Sequence, residues 1–316
     1  MPQHASLSGR DIHKIVTLAH RCTQVDGIEP FNEQTMLALS RPPVPYRRHF
    51  IVPHGETIIG YAQIETVGEA ASAELAVDPD HRRRGVGRAL LREVLTSLEA
   101  EITKFKVWAH GDLPPAAALA TSEGLERERV LFKLSRGMEG FEWPSAWPPG
   151  TPDDWPSGEG PALTLPEGVS LRAFEAGEDD EEWLRVNAAA FAEHPEQGRW
   201  TAVDLREREN EAWFDPEGLI VAEDADGMLG FHWTKVEDGV GEIYVLGVDP
   251  RAQSTGLGKT LTLAGLAHLA AHGVRQVDLY VDESNARAVQ LYRSQGFELA
   301  RSDVQWAKRT PWPSKS

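Results

Sequence analysis

Apolar positions along the chain follow two periods. Leu90, Leu91, Val94, Leu95 and Leu98 recur at helical spacing and predict an amphipathic helix over Val86 to Leu98, and Leu257 to Leu269 reads the same way. Elsewhere β-branched and aromatic residues predict strands: the runs Ile58 to Glu65 and Leu219 to Lys235, then the shorter Leu75 to Val77 and Ile243 to Val248, each ending at Asp-Pro. Another strand is predicted after each helix, at Phe105 to Ala109 and Gln276 to Val281. Gly55-Glu56 and Asp226-Gly227 read as hairpin turns.

These elements come twice because the sequence repeats itself. Glu74-Leu-Ala-Val-Asp-Pro-Asp-His-Arg-Arg-Arg-Gly-Val-Gly-Arg88 lines up with Val245-Leu-Gly-Val-Asp-Pro-Arg-Ala-Gln-Ser-Thr-Gly-Leu-Gly-Lys259 at an offset of 171 residues. Further on, Glu123-Gly-Leu-Glu126 matches Gln295-Gly-Phe-Glu298 at an offset of 172. Strand, glycine turn, helix and parallel strand make a βαβ unit, with its loop at the carboxyl end of the first strand, where open α/β sheets bind ligands. Between the copies, residues 141–166 hold seven prolines and three tryptophans, a composition that sustains neither a helix nor a central strand. The expected organisation is an α/β chain with a mixed sheet in each of two tandem domains, 1–140 and 167–316, joined by a linker that packs through its tryptophans.

Composition narrows the partners. The 316 residues carry 32 Lys and Arg against 49 Asp and Glu, a formal charge of −17, which opposes the phosphate-neutralising surface of a nucleic-acid or anionic-membrane binder. A single cysteine, Cys22, excludes an internal disulfide and a Cys-based zinc site; it reads as a small buried apolar residue and suits a reducing cytoplasm. Charges at Arg10, Asp11 and Lys14 interrupt any leader-like run, and no 18 apolar residues are contiguous, so neither a signal peptide nor a membrane span is expected. The 11 histidines include no HExxH and no cluster at metal-ligand spacing, so no metal is expected.

The chemistry concentrates in the two glycine loops, Arg82-x-x-Gly85-x-Gly87 and Gln253-x-x-Gly256-x-Gly258. Glycines there let consecutive N–H groups turn toward one anion while the following helix N-terminus adds its partial positive charge, a cradle suited to a diphosphate. Neither loop is a complete nucleoside-triphosphate loop, because Gly258-Lys259-Thr260 has Gln253 where that motif's first glycine would stand and the other loop lacks Gly-Lys-Ser/Thr, and neither has the Gly-x-Gly-x-x-Gly order of a dinucleotide fold. Both halves resemble the GNAT superfamily of N-acetyltransferases, whose Arg/Gln-x-x-Gly-x-Gly/Ala loop holds the pyrophosphate of acetyl-CoA.

A narrower resemblance is carried by Phe231-His-Trp-Thr-Lys-Val236, Gly241-Glu-Ile-Tyr-Val-Leu-Gly-Val-Asp-Pro250, Leu279-Tyr-Val-Asp-Glu-Ser-Asn285 and the His-Pro-Glu-Gln-Gly within Asn187 to Trp200. Together they are similar to the mycothiol synthase family, which acetylates the cysteinyl amine of cysteinyl-glucosaminyl-inositol. The resemblance implies acetyl-CoA as cosubstrate, a monomer, and catalysis in the C-terminal half. Glu242 is implied as general base and Tyr292 as the acid for the departing thiolate. Glu33, Glu196, Lys235, Glu242 and Tyr280 are implied as substrate contacts. Acetyl-CoA would lie along Leu246, Gly247 and Val248, over Gln253, Ser254, Thr255, Gly256, Leu257, Gly258 and Lys259, and against Asn285, Ala286, Arg287, Ala288, Val289 and Gln290, with Asn285 holding the pantetheine arm. Ser254-Thr255 stands where an Arg-Arg pair is common in the family, leaving Lys259 as the main cation of that loop.

Glu242 aligns with Ala71, Tyr292 with Ala120 and Tyr280 with Trp108, so the N-terminal half lacks the acid and the base. Its own loop keeps Arg82, Arg83 and Arg84, and Leu75, Ala76, Val77, Arg83, Arg84, Gly85, Val86, Gly87 and Arg88 would hold a second acetyl-CoA or CoA without chemistry. Two other readings remain open at this point: acetylation of a different polar amine such as an aminoglycoside, and acyl-CoA binding without turnover.

Overall fold

The computed structural model describes residues 3–148, 151, 157–160, 162–192 and 197–309. The chain packs as two units. The first holds residues 1–132, 282–284 and 301–316, the second 133–281 and 285–300.

In the first unit, β1 (Gln3–His4) precedes α1 (Gly9–Asp26), which starts at a capping box formed by Ser8 and Asp11 and stops at Gly27, whose φ of +69° is left-handed. α2 (Glu33–Ala38), β2 (Arg47–His54), β3 (Thr57–Val67) and β4 (Ala70–Val77) follow, then α3 (Val86–Thr96), β5 (Lys104–Ala109), α4 (Pro114–Ser122) and β6 (Glu126–Gly137). The strands run β1-β2-β3-β4-β5, antiparallel except for the parallel β4/β5 pair. Helices cover both faces of this sheet. Ile15, Leu18, Ala19 and Cys22 of α1 pack on Ile51, Ile58, Tyr61 and Ala76, and Leu90, Leu91, Val94 and Leu95 of α3 pack on Phe50, Ala62, Ile64 and Phe105. Cys22 is fully buried in the first of these layers, as its apolar reading expects.

The second unit repeats the plan. β7 (Ser170–Ala173), α5 (Asp180–Ala190), α6 (Ala202–Glu209), β8 (Leu219–Asp224), β9 (Gly227–Glu237), β10 (Val240–Val248), α7 (Leu257–Ala271), β11 (Gln276–Asp282), α8 (Ala286–Ser294) and β12 (Glu298–Arg309) complete the chain. The order is β11-β10-β9-β8-β7, again antiparallel except for the parallel β10/β11 pair. Trp183 and Val186 of α5 and Leu205 of α6 pack on Val221, Phe231, Trp233 and Val245, while Leu257, Leu261 and Ala264 of α7 cover the other face. Both βαβ units read from the sequence are thus present.

The units are not the two halves of the sequence. β12, from the far end of the chain, pairs antiparallel with β5 of the first unit, from Val304 opposite Ala109 to Arg309 opposite Lys104. Lys133–Gly137 of β6 belong to the second unit beside β11, where the Ser135 hydroxyl donates to Asp278 at 2.6 Å. The linker's described residues count with the second unit: the Gly160 N–H donates to the Trp143 carbonyl, and the Thr260 hydroxyl of α7 donates to the Thr164 carbonyl. Among the described residues no helix is long and apolar enough to cross a membrane.

At the end of β5, His110 is held between two buried carboxylates. Its Nε2 lies 2.8 Å from Glu74 of β4 and its Nδ1 3.2 Å from Asp303 of β12, while the Gly111 N–H donates to Asp303 at 2.7 Å. Burial alone would lower the imidazole's pKa, but hydrogen bonds to Asp303 and Glu74 outweigh it and hold the ring cationic, with a pKa pushed up to about 9. A folded-state pKa above the unfolded value of about 6.5 gives stability that is complete below pH 6.5 and lost as pH rises through 9. Amide-exchange protection of β4, β5 and β12 should therefore fall between pH 6.5 and 9.5, and the fall should be much shallower in His110→Gln. Equal slopes in the two proteins would remove His110 as the source.

Candidate active site

The site begins where two paired strands part. The parallel ladder of β10 and β11 covers only Gly241 to Ile243 against Val277 to Leu279, whereas on its other edge β10 stays paired with β9 as far as Val248. The β9 register slips between Ile243 and Val245, so Tyr244 is a bulge residue. From there to Val248 the β11-facing backbone of β10 lies outside the ladder. The glycine at 247 is required by packing, since a Cβ there would meet the Phe231 ring at 2.8 Å.

Just before the splay, a polar row crosses the sheet. Register places Lys235 of β9 opposite Glu242 of β10, and Glu242 opposite Asp278 of β11, so the three side chains share one face. Asp278 is buried and takes the Lys133 ammonium at 2.7 Å with the Ser135 hydroxyl. Lys235 is also buried; its ammonium lies 3.2 Å from Glu237, 4.7 Å from the Trp213 ring centroid and 5.7 Å from that of Tyr244. Glu242 is half-buried. Two residues along β11 on the same face, Tyr280 is 41% exposed, with the Lys133 ammonium 5.9 Å from its ring centroid. The Arg208 guanidinium stacks 3.8 Å from the Trp200 ring centroid and donates to the Tyr244 hydroxyl at 2.8 Å.

At the carboxyl end of β10 comes the glycine loop. Ser254 and Gly256 have φ of +68° and +92°, matched by Arg83 and Gly85 at +60° and +83° in the first unit. This alternation turns successive N–H groups to one side, forming an anion nest. Gly256 and Gly85 start α7 and α3 with no side-chain cap, whereas Ser8, Asn32, Thr201 and Asn285 cap their own helices. Gly258 is not demanded by internal packing: a Cβ there would find Val248 at 3.7 Å, an ordinary contact. The cradle therefore suits a diphosphate approaching from outside.

Both loops are anchored by the aspartate of Asp-Pro, a role the motif alone does not reveal. Arg185 of α5 binds buried Asp249 at 2.7 Å, and Arg21 of α1 binds buried Asp78 at 2.9 Å.

The cations around the two loops differ in their surroundings. Lys259 is exposed, and Arg287 in the first turn of α8 reaches Ser254 Oγ at 3.3 Å. Arg82 faces inward instead of toward a ligand, with both terminal nitrogens on Asp26 at 2.7 Å and Nε on the Val77 carbonyl. That leaves Arg83 and Arg84 exposed, while Arg88 pairs with Glu123.

Asn285 caps α8, its Oδ1 accepting from the Ala288 N–H at 3.1 Å, which leaves the amide Nδ2 as the group able to meet a ligand. Ala286, Arg287, Ala288, Val289 and Gln290 form the first turns of that helix. In its last turn Tyr292 is buried, edge-on to Phe297 at 5.8 Å, and burial pushes its phenol up to about 12. Glu33 belongs to the first unit, at the first position of α2, where an acidic side chain suits the helix dipole. Glu196 lies outside the described residues. Asn187, fully buried, exchanges amide hydrogen bonds with Gln197.

Sequence reasoning missed Asp278 and Lys133. The alternation Asp278, Tyr280, Asp282 along an otherwise apolar strand is the signal that could have found Asp278. It also missed His268 and His272, which stand four apart on α7 and come together with Asp215, correcting the expectation of no histidine cluster.

Residues 183–297 match the acetyltransferase (GNAT) family model, and residues 45–121 match a GNAT acetyltransferase domain model. The chain is 45% identical to mycothiol acetyltransferase of Thermomonospora curvata over 96% of each chain, and 47% identical to that of Geodermatophilus obscurus over 93% of each. A tandem GNAT protein from the clavulanic acid biosynthesis pathway shares the fold, at a TM-score of 0.69 and 18% identity over 96% of each chain.

Gly258→Leu adds a side chain where only an outside ligand approaches, and replacing a helical glycine favours the helix by up to about 1 kcal/mol. Its melting temperature should not fall, yet calorimetric titration should find one CoA fewer bound per chain. Gly87→Leu should spare the second unit's cradle. Unaltered CoA binding by a folded Gly258→Leu protein would contradict this placement.

Proposed function

The chain belongs to the mycothiol acetyltransferase family of tandem GNAT N-acetyltransferases, and from that premise we propose that its second unit acetylates the cysteinyl amine of cysteinyl-glucosaminyl-inositol with acetyl-CoA. The observation that carries the mechanism is the row Lys235–Glu242–Asp278 beside the splayed end of β10. Acetyl-CoA sets its diphosphate on the Gln253–Lys259 loop, with Arg287 and Lys259 as cations and the Asn285 amide toward the pantetheine. Its pantetheine bonds in a strand-like manner to the free backbone edge of Leu246, Gly247 and Val248.

Glu242 accepts a proton from the acceptor ammonium. An α-amino group has a pKa of about 7.7–8.0, so a modest base suffices near neutral pH. The freed amine forms a C–N bond to the thioester carbonyl, whose developing oxyanion meets backbone N–H groups of the splayed segment. Collapse breaks the C–S bond and releases the thiolate of CoA, and the new amide nitrogen gives its second proton to solvent. Tyr292 stays protonated at any physiological pH, so it serves as a hydrogen-bond donor to that sulfur. A thiol has a pKa of about 8.5, below that of this phenol, so the lasting proton on sulfur comes from solvent.

The acceptor's hydroxyls suit the polar face carrying Lys235, Tyr280 and Asp278. Glu33 and Glu196 remain assigned to substrate contact by family resemblance. The first unit keeps a cradle at Arg83, Arg84, Gly85, Val86, Gly87 and Arg88 beside Leu75, Ala76 and Val77. With Ala71 and Ala120 in place of Glu242 and Tyr292, it holds CoA without turnover. The stretches 1–140 and 167–316 are kept as the two tandem domains of this reading.

Mass spectrometry of the product formed from acetyl-CoA and cysteinyl-glucosaminyl-inositol tests the reading; the expected gain is one acetyl group on nitrogen, and acetylation of an aminoglycoside in preference would overturn the substrate assignment. Glu242→Gln should lower kcat by about two to four orders of magnitude with CoA binding unchanged, the usual effect of losing a positioned base. Tyr292→Phe should cost less, because a hydrogen bond is lost and no obligatory proton donor. Near-normal turnover of Glu242→Gln at neutral pH would reassign the base.

A further inference from the structure

At the far end of α7 from the cradle, about 22 Å along the helix, lies a second group of ligating side chains. His268 sits in the last turn of α7 and His272 at its C-cap, their ring centroids 4.3 Å apart. Asp215, which precedes β8, points its Oδ2 at both imidazoles, 3.3 Å from His268 Nε2 and 3.9 Å from His272 Nε2, and the three donor atoms all lie within 4.8 Å of one another. From these atoms we propose that the second unit binds one zinc-class divalent transition ion between His268, His272 and Asp215.

Donor spacing supports this. Zinc bonds of about 2.0–2.1 Å at the tetrahedral angle put neighbouring donors about 3.4 Å apart, so the Asp215–His268 spacing already fits and the His272 ring has only to close slightly. Orientation supports it too. His272 Nδ1 lies 2.9 Å from the His268 carbonyl, an acceptor, so Nδ1 carries the proton and the Nε2 lone pair faces Asp215. Asp215 Oδ1 accepts from the Glu217 N–H at 3.0 Å, while Oδ2 faces His268 Nε2 at 3.3 Å, the contact that a bound ion would replace.

The site is open on one side, with side-chain exposures of 45% for His272 and 40% for Asp215 against 5% for His268. Three protein ligands with a solvent-facing fourth position is a familiar zinc arrangement, and a cation at a helix C-terminus is favoured by the helix dipole. The ion ties the turn before β8 to the end of α7.

The test is calorimetric titration of the chelator-treated full chain with zinc chloride, and visible absorption of the cobalt(II) form for tetrahedral coordination. One ion per chain is expected, with a raised melting temperature. His272→Ala and Asp215→Asn should each weaken binding at least about 10–100-fold, the loss that even an outer-sphere partner causes. No binding by the wild type, or equal stoichiometry and affinity in both variants, would overturn the site. Circular dichroism verifies that each variant is folded, and exposed His272 makes that variant the more robust of the two.

Discussion

The acetyl transfer proposed for this chain depends on the early end of one parallel ladder. Had β10 and β11 remained paired to Val248, the backbone groups of Leu246 to Val248 would be satisfied within the sheet and would have nothing to offer a ligand. The splay holds because β10 is fixed from its other edge. β9 stays paired to Gly230, where the chains are so close that a Cβ on Gly230 would lie 2.9 Å from the Gly247 carbonyl. The bulge at Tyr244 twists the strand away at the point where pairing stops. An unpaired buried amide costs about 1–3 kcal/mol, so such an edge favours a ligand that can pair with it. The same break sets the position of Glu242, which lies in the middle of the three rows that remain paired, next to the opening.

The first unit has a similar backbone arrangement with different side chains around it. There the parallel pairing of β4 with β5 also stops early, after Ala73 opposite Val107, and the loop has the same left-handed positions. Alanines stand at 71 and 120, and the interior near the parting strands is given to an ionic group, Glu74–His110–Asp303, that closes the sheet with β12. Two units with one skeleton thus differ in what their side chains do: in one a charged row beside the splay, in the other a buried imidazolium between carboxylates.

The parts of this arrangement that were legible in the sequence are those whose chemistry is local. A left-handed turn ahead of a helix selects glycine at 85 and 256, an amphipathic helix writes its period into Leu90, Leu91, Val94 and Leu95, and Asp-Pro marks a strand end. Pairing between distant segments leaves no such mark. Nothing in Glu298–Arg309 says that its partner is β5, since an apolar strand edge fits many others. The Arg287–Ser254 contact depends on how α8 meets the loop, and the inward turn of Arg82 depends on Asp26, 56 residues earlier. His268 and His272 carried a local signal in their i,i+4 spacing, but a pair of histidines becomes a candidate metal site only when a third ligand is brought in, and Asp215 comes from a separate turn.

A chain of net charge −17 that takes a polyanionic cosubstrate faces unfavourable long-range electrostatics, so the grip must come from short-range groups. Few cations serve the second unit's cradle, with Arg287 and Lys259 nearby and Ser254-Thr255 where arginines could stand. The remaining positive potential is that of oriented N–H groups at the start of α7, which act only if the loop keeps its shape. That makes the Arg185–Asp249 pair more important than its distance from any substrate suggests. Asp249 also accepts from the Arg251 N–H at 3.0 Å and from the Arg251 guanidinium at 3.3 Å, so one buried carboxylate fixes both the entry and the first turn of the loop. Where charge is scarce, rigidity of the backbone donors takes its place, and the aspartate that ends the strand supplies it.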